Sequence, residues 1–263
     1  MTDTTRPPGS APVSAPVSAP GAMPDAMPDA TPAPDPVPDP VQEGRLFAVG
    51  DVHGAHAKLA RLLERLPVNT ATDAVVFLGD YINRGPQSRR VIETLLDFGT
   101  RCPGAVFLLG NHEWLLLEYA RSGDLDLLAT LRAQGVQATL DSYGAPPHAL
   151  RSLSFLPPDH LDFLERLKPF HRQGGYFFVH AGVSPDKAPE DSPTETLLGI
   201  RELFLHEPGE LGEPVVFGHT VFETPFVSEL RIGIDTGAVY GNLLTAVELP
   251  VPPGSGELRF YHA

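Results

Sequence analysis

Residues 74–85 read AVVFLGDYINRG, and the first seven of them decide the fold. Five apolar residues, 74–78, run into Gly79-Asp80. A run of that length, partly β-branched and stopped by glycine, reads as a strand buried on both faces. The same arrangement stands on either side of it. Residues 46–49 run into Gly50-Asp51, and residues 105–109 run into Gly110-Asn111. Two helical stripes lie between, Leu59, Leu62, Leu63, Leu66 and Val91, Ile92, Leu95, Leu96, at spacings of three and four. Strand, helix, strand, helix, strand predicts an α/β unit with parallel pairing and right-handed crossovers. Such sheets carry their ligands beyond the carboxyl ends of the strands, where all three Gly-Asp or Gly-Asn pairs fall.

Further along, residues 112–170 read mostly as helices, with Leu161, Leu164 and Leu167 marking one stripe. Strands return at 176–179, 215–217, 232–234 and 243–249. The first three of these also end in polar tips, His180, His219 and Asp235. They predict a second sheet packed on the first, with 258–261 as one more edge strand.

The chain has 263 residues, 42% hydrophobic and 20% charged, a length that allows one sizeable domain plus extras, or two small ones. Lysine and arginine total 19 against 33 acidic residues, a formal charge of −14. That balance argues against sequence-independent nucleic-acid binding, which needs a basic face, and against anionic membrane surfaces. A single cysteine, Cys102, excludes an internal disulfide framework and any cysteine-cluster zinc site. No run of about 18 apolar residues reads as a membrane span. Residues 1–43 hold 12 of the 29 prolines, in near-repeats such as APVSAPVSAP. So few large apolar side chains cannot offset the entropy of ordering, so 1–43 reads as a disordered Pro/Ala-rich tail and 44–263 as the folded domain. No apolar stretch of signal-peptide type follows the start, which makes the cytoplasm the default location. Partner binding by the tail is a secondary reading.

Taken together, the strand tips are Asp51 and His53 in GDVHG, Asp80 in GDYINRG, Asn111 and His112 in GNHE, His180 in HAG and His219 in GHT. This is a set of oxygen and imidazole donors without a thiolate, suited to borderline divalent metals. Each element alone is weak evidence: Asp-Gly pairs begin turns, Asn caps helices, and single histidines are often structural. Five in order, each after an apolar run, form a joint signal. Two metals a few ångström apart share a ligand, and Asp80, on the middle strand, is the natural bridging carboxylate.

GDVHG, GDYINRG, GNHE, HAG and GHT together resemble the metallophosphoesterase signature. GDYxxRG with GNHE is more narrowly similar to the bacterial and phage branch of the PPP-type serine/threonine protein phosphatases. LLGIRELFL (197–205) resembles that branch's arginine-bearing segment, and GIDTGAVYG its closing strand. The resemblance spans about residues 45–250. It implies an α/β metallophosphoesterase fold, a central β-sandwich of two mixed sheets flanked by helices in four layers. It implies a first metal on Asp51, His53 and Asp80, and a second on Asp80, Asn111, His180 and His219. Manganese is the first expectation for both, with iron, zinc or nickel admitted by the same donors. Arg84 and Arg201 would grip the phosphoryl oxygens and His112 would be the general acid. The implied reaction is hydrolysis of phosphoserine and phosphothreonine in phosphorylated protein substrates, by direct attack of a hydroxide shared by the two metals.

One departure stands out. The family usually places an aspartate before the GDYxxRG arginine, paired with the catalytic histidine; here it is Asn83. An amide orients His112 but brings no charge to stabilise an imidazolium. The alternative reading is a symmetrical dinucleoside tetraphosphate hydrolase, a sister branch with the same ligands that usually carries GNHD and GDLVxRGP; Glu113 and Tyr81 weigh for the protein phosphatase. A catalytically weak metal-bound scaffold, with Asn83 as a sign of decay, is the third. Among the remaining residues, Tyr240 is a candidate to reach the phosphate, or else packs, and Asp235 reads as a structural hydrogen bonder. Trp114 reads as core or pocket wall, Cys102 as a packed small side chain, and His56, His148, His160, His171 and His206 as surface residues.

Overall fold

Each apolar run of the first half is a strand. β1 (Leu46–Val49), β2 (Ala74–Phe77) and β3 (Ala105–Phe107) pair in parallel in the order β1-β2-β3. The crossovers are α1 (His56–Arg65) and α2 (Ser88–Arg101). This computed structural model describes residues 44–206 and 211–263; the proline-rich stretch 1–43, expected to be disordered, lies outside the described residues. Four helices follow β3: α3 (Asn111–Ser122), α4 (Leu125–Ala133), α5 (Val136–Tyr143) and α6 (Pro158–Glu165).

The second sheet is built from β4 (Phe170–Gln173), β5 (Tyr176–Val179), β6 (Val215–Phe217), β7 (Phe226–Val227) and β8 (Arg231–Gly233), in the order β4-β5-β6-β8-β7. β5, β6 and β8 are parallel, and the short edges β4 and β7 are antiparallel. Helices α7 (Thr194–Gly199) and α8 (Glu202–His206) lie between β5 and β6 in sequence. Each sheet thus has three parallel strands whose carboxyl ends bear the polar tips.

Alternation along the strands explains why they read as unbroken apolar runs. Leu46, Ala48, Ala74 and Val76 join Tyr176, Phe178, Val216 and Ile232 in one cluster between the sheets. Phe47, Val49, Val75 and Phe77 pack instead with helix residues Leu59, Leu62, Val91, Ile92 and Leu95. On the far side, Phe177, Val179, Val215 and Phe217 pack with Leu197 and Phe204. The result is helix, sheet, sheet, helix: the expected four-layer α/β architecture. Full burial of a phenylalanine such as Phe47 or Phe77 contributes about 1.5–3 kcal/mol.

The placement of residues 243–249 differs from expectation. β9 (Thr245–Leu249) pairs antiparallel with β1 rather than extending the second sheet, and β10 (Arg259–His262) pairs antiparallel with β9. The free edge of β1 accepts it, while β7 occupies the edge of the second sheet beyond β8. His160 is buried rather than on the surface: its Nδ1 meets the Tyr143 hydroxyl at 2.7 Å. His148 and His206 are exposed, and Cys102 is a buried, packed side chain. Trp114 is half-buried against the main core.

Candidate metal centre

The tips of the two sheets meet at one end of the sandwich. Backbone N–H groups of Val52 and His53 donate to the Asp80 carbonyl at 3.1 and 2.7 Å, joining the first two loops. The His219 N–H donates to Asp51 Oδ2 at 3.1 Å, joining the first sheet to the second. The approach is close enough that a Cβ on Gly218 would overlap Asp51 Oδ1. His53, Asp80, Asn83, Arg84 and His219 all have left-handed backbone, with φ between 45° and 68°. Among the described residues, Leu153 is the one other non-glycine residue in that region. L-residues enter it at a cost of roughly 1–2 kcal/mol each, so the surrounding fold imposes these conformations.

Hydrogen bonding fixes what the imidazoles present. His180 Nδ1 lies 2.8 Å from the Leu78 carbonyl, an acceptor, so Nδ1 carries the proton and Nε2 a lone pair. That lone pair faces two more acceptors, Asn111 Oδ1 at 3.1 Å and Asp80 Oδ2 at 3.5 Å. His53 shares the tautomer, with Nδ1 donating to the Ile82 carbonyl at 3.1 Å and Nε2 facing Asp80 Oδ2 at 3.3 Å, but its Nε2 lone pair already has a donor in Arg84 Nη1. His219 Nδ1 lies 3.0 Å from the same Asn111 oxygen. Buried lone pairs aimed at one another repel unless a cation lies among them. Asp51 Oδ1, also buried, has no hydrogen-bond partner. The donor set therefore fits divalent metal. Among the described residues, His53, Asp80 and His112 bring ligand atoms within 4.8 Å of one another, as do Asp80, His180 and His219, with Asp80 common to both. Asp51 belongs to neither group of three.

His112 is set apart by its partner. Thr139 Oγ1 donates to Asn83 Oδ1 at 2.8 Å and accepts from the Asn83 N–H at 2.9 Å. Ser88 Oγ lies 3.0 Å from the same hydroxyl. The Asn83 amide is thereby oriented with Nδ2 toward His112 Nδ1, at 2.9 Å. An amide NH2 donates, so Nδ1 accepts and the neutral ring carries its proton on Nε2. Nε2 is buried without a protein partner and lies 3.8 Å from Asp80 Oδ2. With a proton there, His112 offers a donor and no lone pair to the centre, which removes it from the ligand set its distance alone would allow.

Burial governs the ionisation. It pushes the imidazoles of His53 and His180 down to about 3 and about 4. Burial, with His180 nearby, takes His219 to about 2, and burial also depresses His112. All are neutral at pH 7, the state a metal ligand needs. The carboxyls move the other way: burial raises Asp80 to about 7, and burial and then Asp235 raise Asp51.

Two residues turn out to be scaffolding. Glu113 is fully buried, and its carboxylate accepts four backbone N–H groups, from Asp80 (3.0 Å), Gly110 (3.2 Å), Tyr81 (2.8 Å) and Ile82 (3.1 Å). It holds the Asp80 turn onto the start of α3, a role that sequence reasoning missed. The Tyr81 hydroxyl donates to the Leu108 carbonyl at 2.8 Å. Neither side chain faces the centre's open edge. Asp235 accepts the Gly237 N–H at 2.9 Å. At that edge, Arg84 Nη1 lies 2.7 Å from His53 Nε2, and exposed Arg201, between α7 and α8, donates Nη1 to the His219 carbonyl at 3.1 Å.

Comparison with known proteins adds the family. The model for calcineurin-like phosphoesterases matches residues 44–232. The symmetrical bis(5'-nucleosyl)-tetraphosphatase of Methylococcus capsulatus is 36% identical over 141 residues, which are 53% of this chain and 44% of that protein. The chain thus spans about half the length of the symmetrical enzymes it matches. An asymmetrical bis(5'-nucleosyl)-tetraphosphatase of Bacillus thuringiensis is 25% identical over 77% of this chain and 89% of its own. Among solved structures, one provisionally named a diadenosine tetraphosphatase superposes with a TM-score of 0.61 at 24% identity, covering 86% of this chain and 96% of its own. A Saccharomyces cerevisiae serine/threonine phosphatase gives 0.57 at 14% identity, covering 85% and 81%. These two likenesses show the shared fold.

Proposed function

The chain belongs to the calcineurin-like metallophosphoesterase family, and on that premise we propose that it hydrolyses a phosphoanhydride bond of a dinucleoside tetraphosphate. This reverses the order of the two readings made from sequence. Glu113 and Tyr81, which had weighed for a protein phosphatase, bond to backbone and so are silent about substrate. The curated relatives described above are tetraphosphatases of both kinds.

The observation that carries the reading is the Asn83–His112 hydrogen bond. A neutral imidazole whose Nδ1 accepts from an amide presents Nε2–H as a fixed hydrogen-bond donor. It has no carboxylate to stabilise an imidazolium, so full proton transfer is unfavourable. A serine or threonine alkoxide leaves poorly without that proton, whereas a nucleotide phosphate is a weak base and leaves with hydrogen bonding alone.

In the proposed site Asp51, His53 and Asp80 hold one divalent ion, and Asp80, Asn111, His180 and His219 hold the other. Bound there, two such ions supply Lewis-acid stabilisation of phosphoryl charge and lower the pKa of water. The chain's own residues do the rest. Arg84 and Arg201, at the open edge, present planar guanidinium donors that match phosphoryl oxygens and orient the reacting phosphorus. His112 Nε2–H donates to the bridging oxygen as it departs. Buried Asn83, Thr139 and Ser88 keep that donor in place.

The test is a paired assay on manganese-loaded protein, comparing diadenosine tetraphosphate with a phosphothreonine peptide, and His112→Asn run alongside. Preference for the dinucleotide, lost in the variant, is expected. Two ADP would mark cleavage of the central bond, ATP with AMP an outer one. Preference for the peptide would restore the protein-phosphatase reading.

A further inference from the structure

Among the described residues, Tyr240 is the one tyrosine, phenylalanine or tryptophan that stands exposed, at 64%. Its position is built. The 3-10 turn Ala238–Tyr240 is bracketed by Gly237 and Gly241, with φ of 71° and 102°. Lys58 reaches from α1 to donate to the Ala238 carbonyl at 2.6 Å, and also to the carbonyl of Asn242. The Asn242 amide in turn donates to the Glu223 carbonyl at 2.9 Å. The backbone that carries the ring is thus tied to α1 by Lys58 and to Glu223 by Asn242, so the ring stands in solvent on a fixed turn, and less ordering remains to be supplied on binding.

What surrounds the ring indicates the ligand. The Arg84 guanidinium carbon lies 5.4 Å from the ring centroid, so one face of Tyr240 borders the phosphate-gripping arginine. Val221, 46% exposed and two residues past His219, abuts the same turn at Gly237. Aromatic plane, aliphatic flank and cation form one step at the lip of the centre. A phosphoryl group alone would use the cation and leave the ring unused. A nucleotide would use both, with its phosphates at Arg84 and its base on the ring.

We propose that Tyr240 is the stacking platform for a nucleobase whose phosphate chain enters the centre past Arg84. The proposal rests on the nucleotide-hydrolase reading and names the subsite it lacks. The phosphate end is shared by any phosphorylated ligand; the platform separates nucleotides from phosphate alone.

The experiment is isothermal titration of the manganese-loaded full chain with ADP and, separately, with pyrophosphate, which has no base. Wild type, Tyr240→Ala and Tyr240→Trp are compared by the ratio of the two Kd values. Stacking of one base predicts that Tyr240→Ala raises the ADP-to-pyrophosphate ratio by about fivefold or more, with Tyr240→Trp close to wild type. An unchanged ratio overturns the proposal. So does equal weakening of both ligands, which would make Tyr240 a support for Arg84 and not a seat for the base. If the ratio shifts but diadenosine tetraphosphate is not hydrolysed, the platform stands and the proposed reaction falls.

Discussion

Asn83→Asp is the sharpest perturbation of this site, because it changes charge with almost no change in shape. The amide nitrogen lies 2.9 Å from His112 Nδ1, and the amide oxygen accepts from Thr139 at 2.8 Å. A carboxylate would keep the second bond and turn the first around, accepting from a protonated Nδ1. With charge centres about 4 Å apart and an effective dielectric of about 20, its attraction for an imidazolium is about 4 kcal/mol. That corresponds to about three pKa units, less the cost of burying the new charge at a fully enclosed position. The protonated fraction of His112, still depressed by burial, should rise accordingly. Turnover of an alkyl phosphate such as phosphoserine should rise about a hundredfold, at the low end of what general acids contribute. Hydrolysis of diadenosine tetraphosphate should change by less than about threefold, since its leaving group needs little protonation. Steady-state kcat on both substrates, on protein shown to be folded by its melting transition, reads the result. Equal gains on the two substrates, or none on the alkyl ester, would refute the role assigned to Asn83.

Other perturbations test the frame of the centre. Gly218→Ala should abolish high-affinity metal binding by calorimetry while leaving the far-ultraviolet spectrum intact, because the new methyl displaces the free oxygen of Asp51. Glu113→Gln should lower stability to urea by about 1–3 kcal/mol, since each carboxylate oxygen accepts two N–H groups and an amide must set its own NH2 against one of those pairs. Metal binding should release more protons as pH falls from about 8.5 to about 6. Asp80, raised to about 7, must be deprotonated to ligate, while the imidazoles, held at about 4 or below, release none in that window. Calorimetry in buffers of different ionisation enthalpy reads this, and a release that does not vary with pH would contradict it.

Much of the fold was legible because burial on both faces leaves a continuous apolar run, and three such runs ending in Gly-Asp or Gly-Asn fix a parallel sheet. The chemistry-bearing tips were legible for the same reason: a polar residue after a buried strand has one place to be. Residues 243–249 also read as a strand, but which sheet would take it did not, because apolar alternation says nothing about which edge is free. The β4 sequence FHRQ, half-exposed at an edge, carries no periodic signal. Glu113 hid behind its neighbours, since its four partners are backbone groups that any sequence supplies. Thr139 lies 56 residues from Asn83, and nothing local ties them. The burial of His160 likewise depends on the distant hydroxyl of Tyr143.

The left-handed backbone at His53, Asp80, Asn83, Arg84 and His219 also bears on descent. At up to about 1–2 kcal/mol each, and less at the Asp and Asn positions, the five together take a sizeable share of the net stability of an ordinary domain, about 5–15 kcal/mol. Glycine relieves that cost at any of them, and glycine codons are a single base change from those of aspartate and of many arginines. A lineage released from selection for catalysis would drift toward glycine there and gain stability by doing so. All five carry side chains of the proposed site and none is glycine, which fits a centre built for chemistry better than a decayed scaffold.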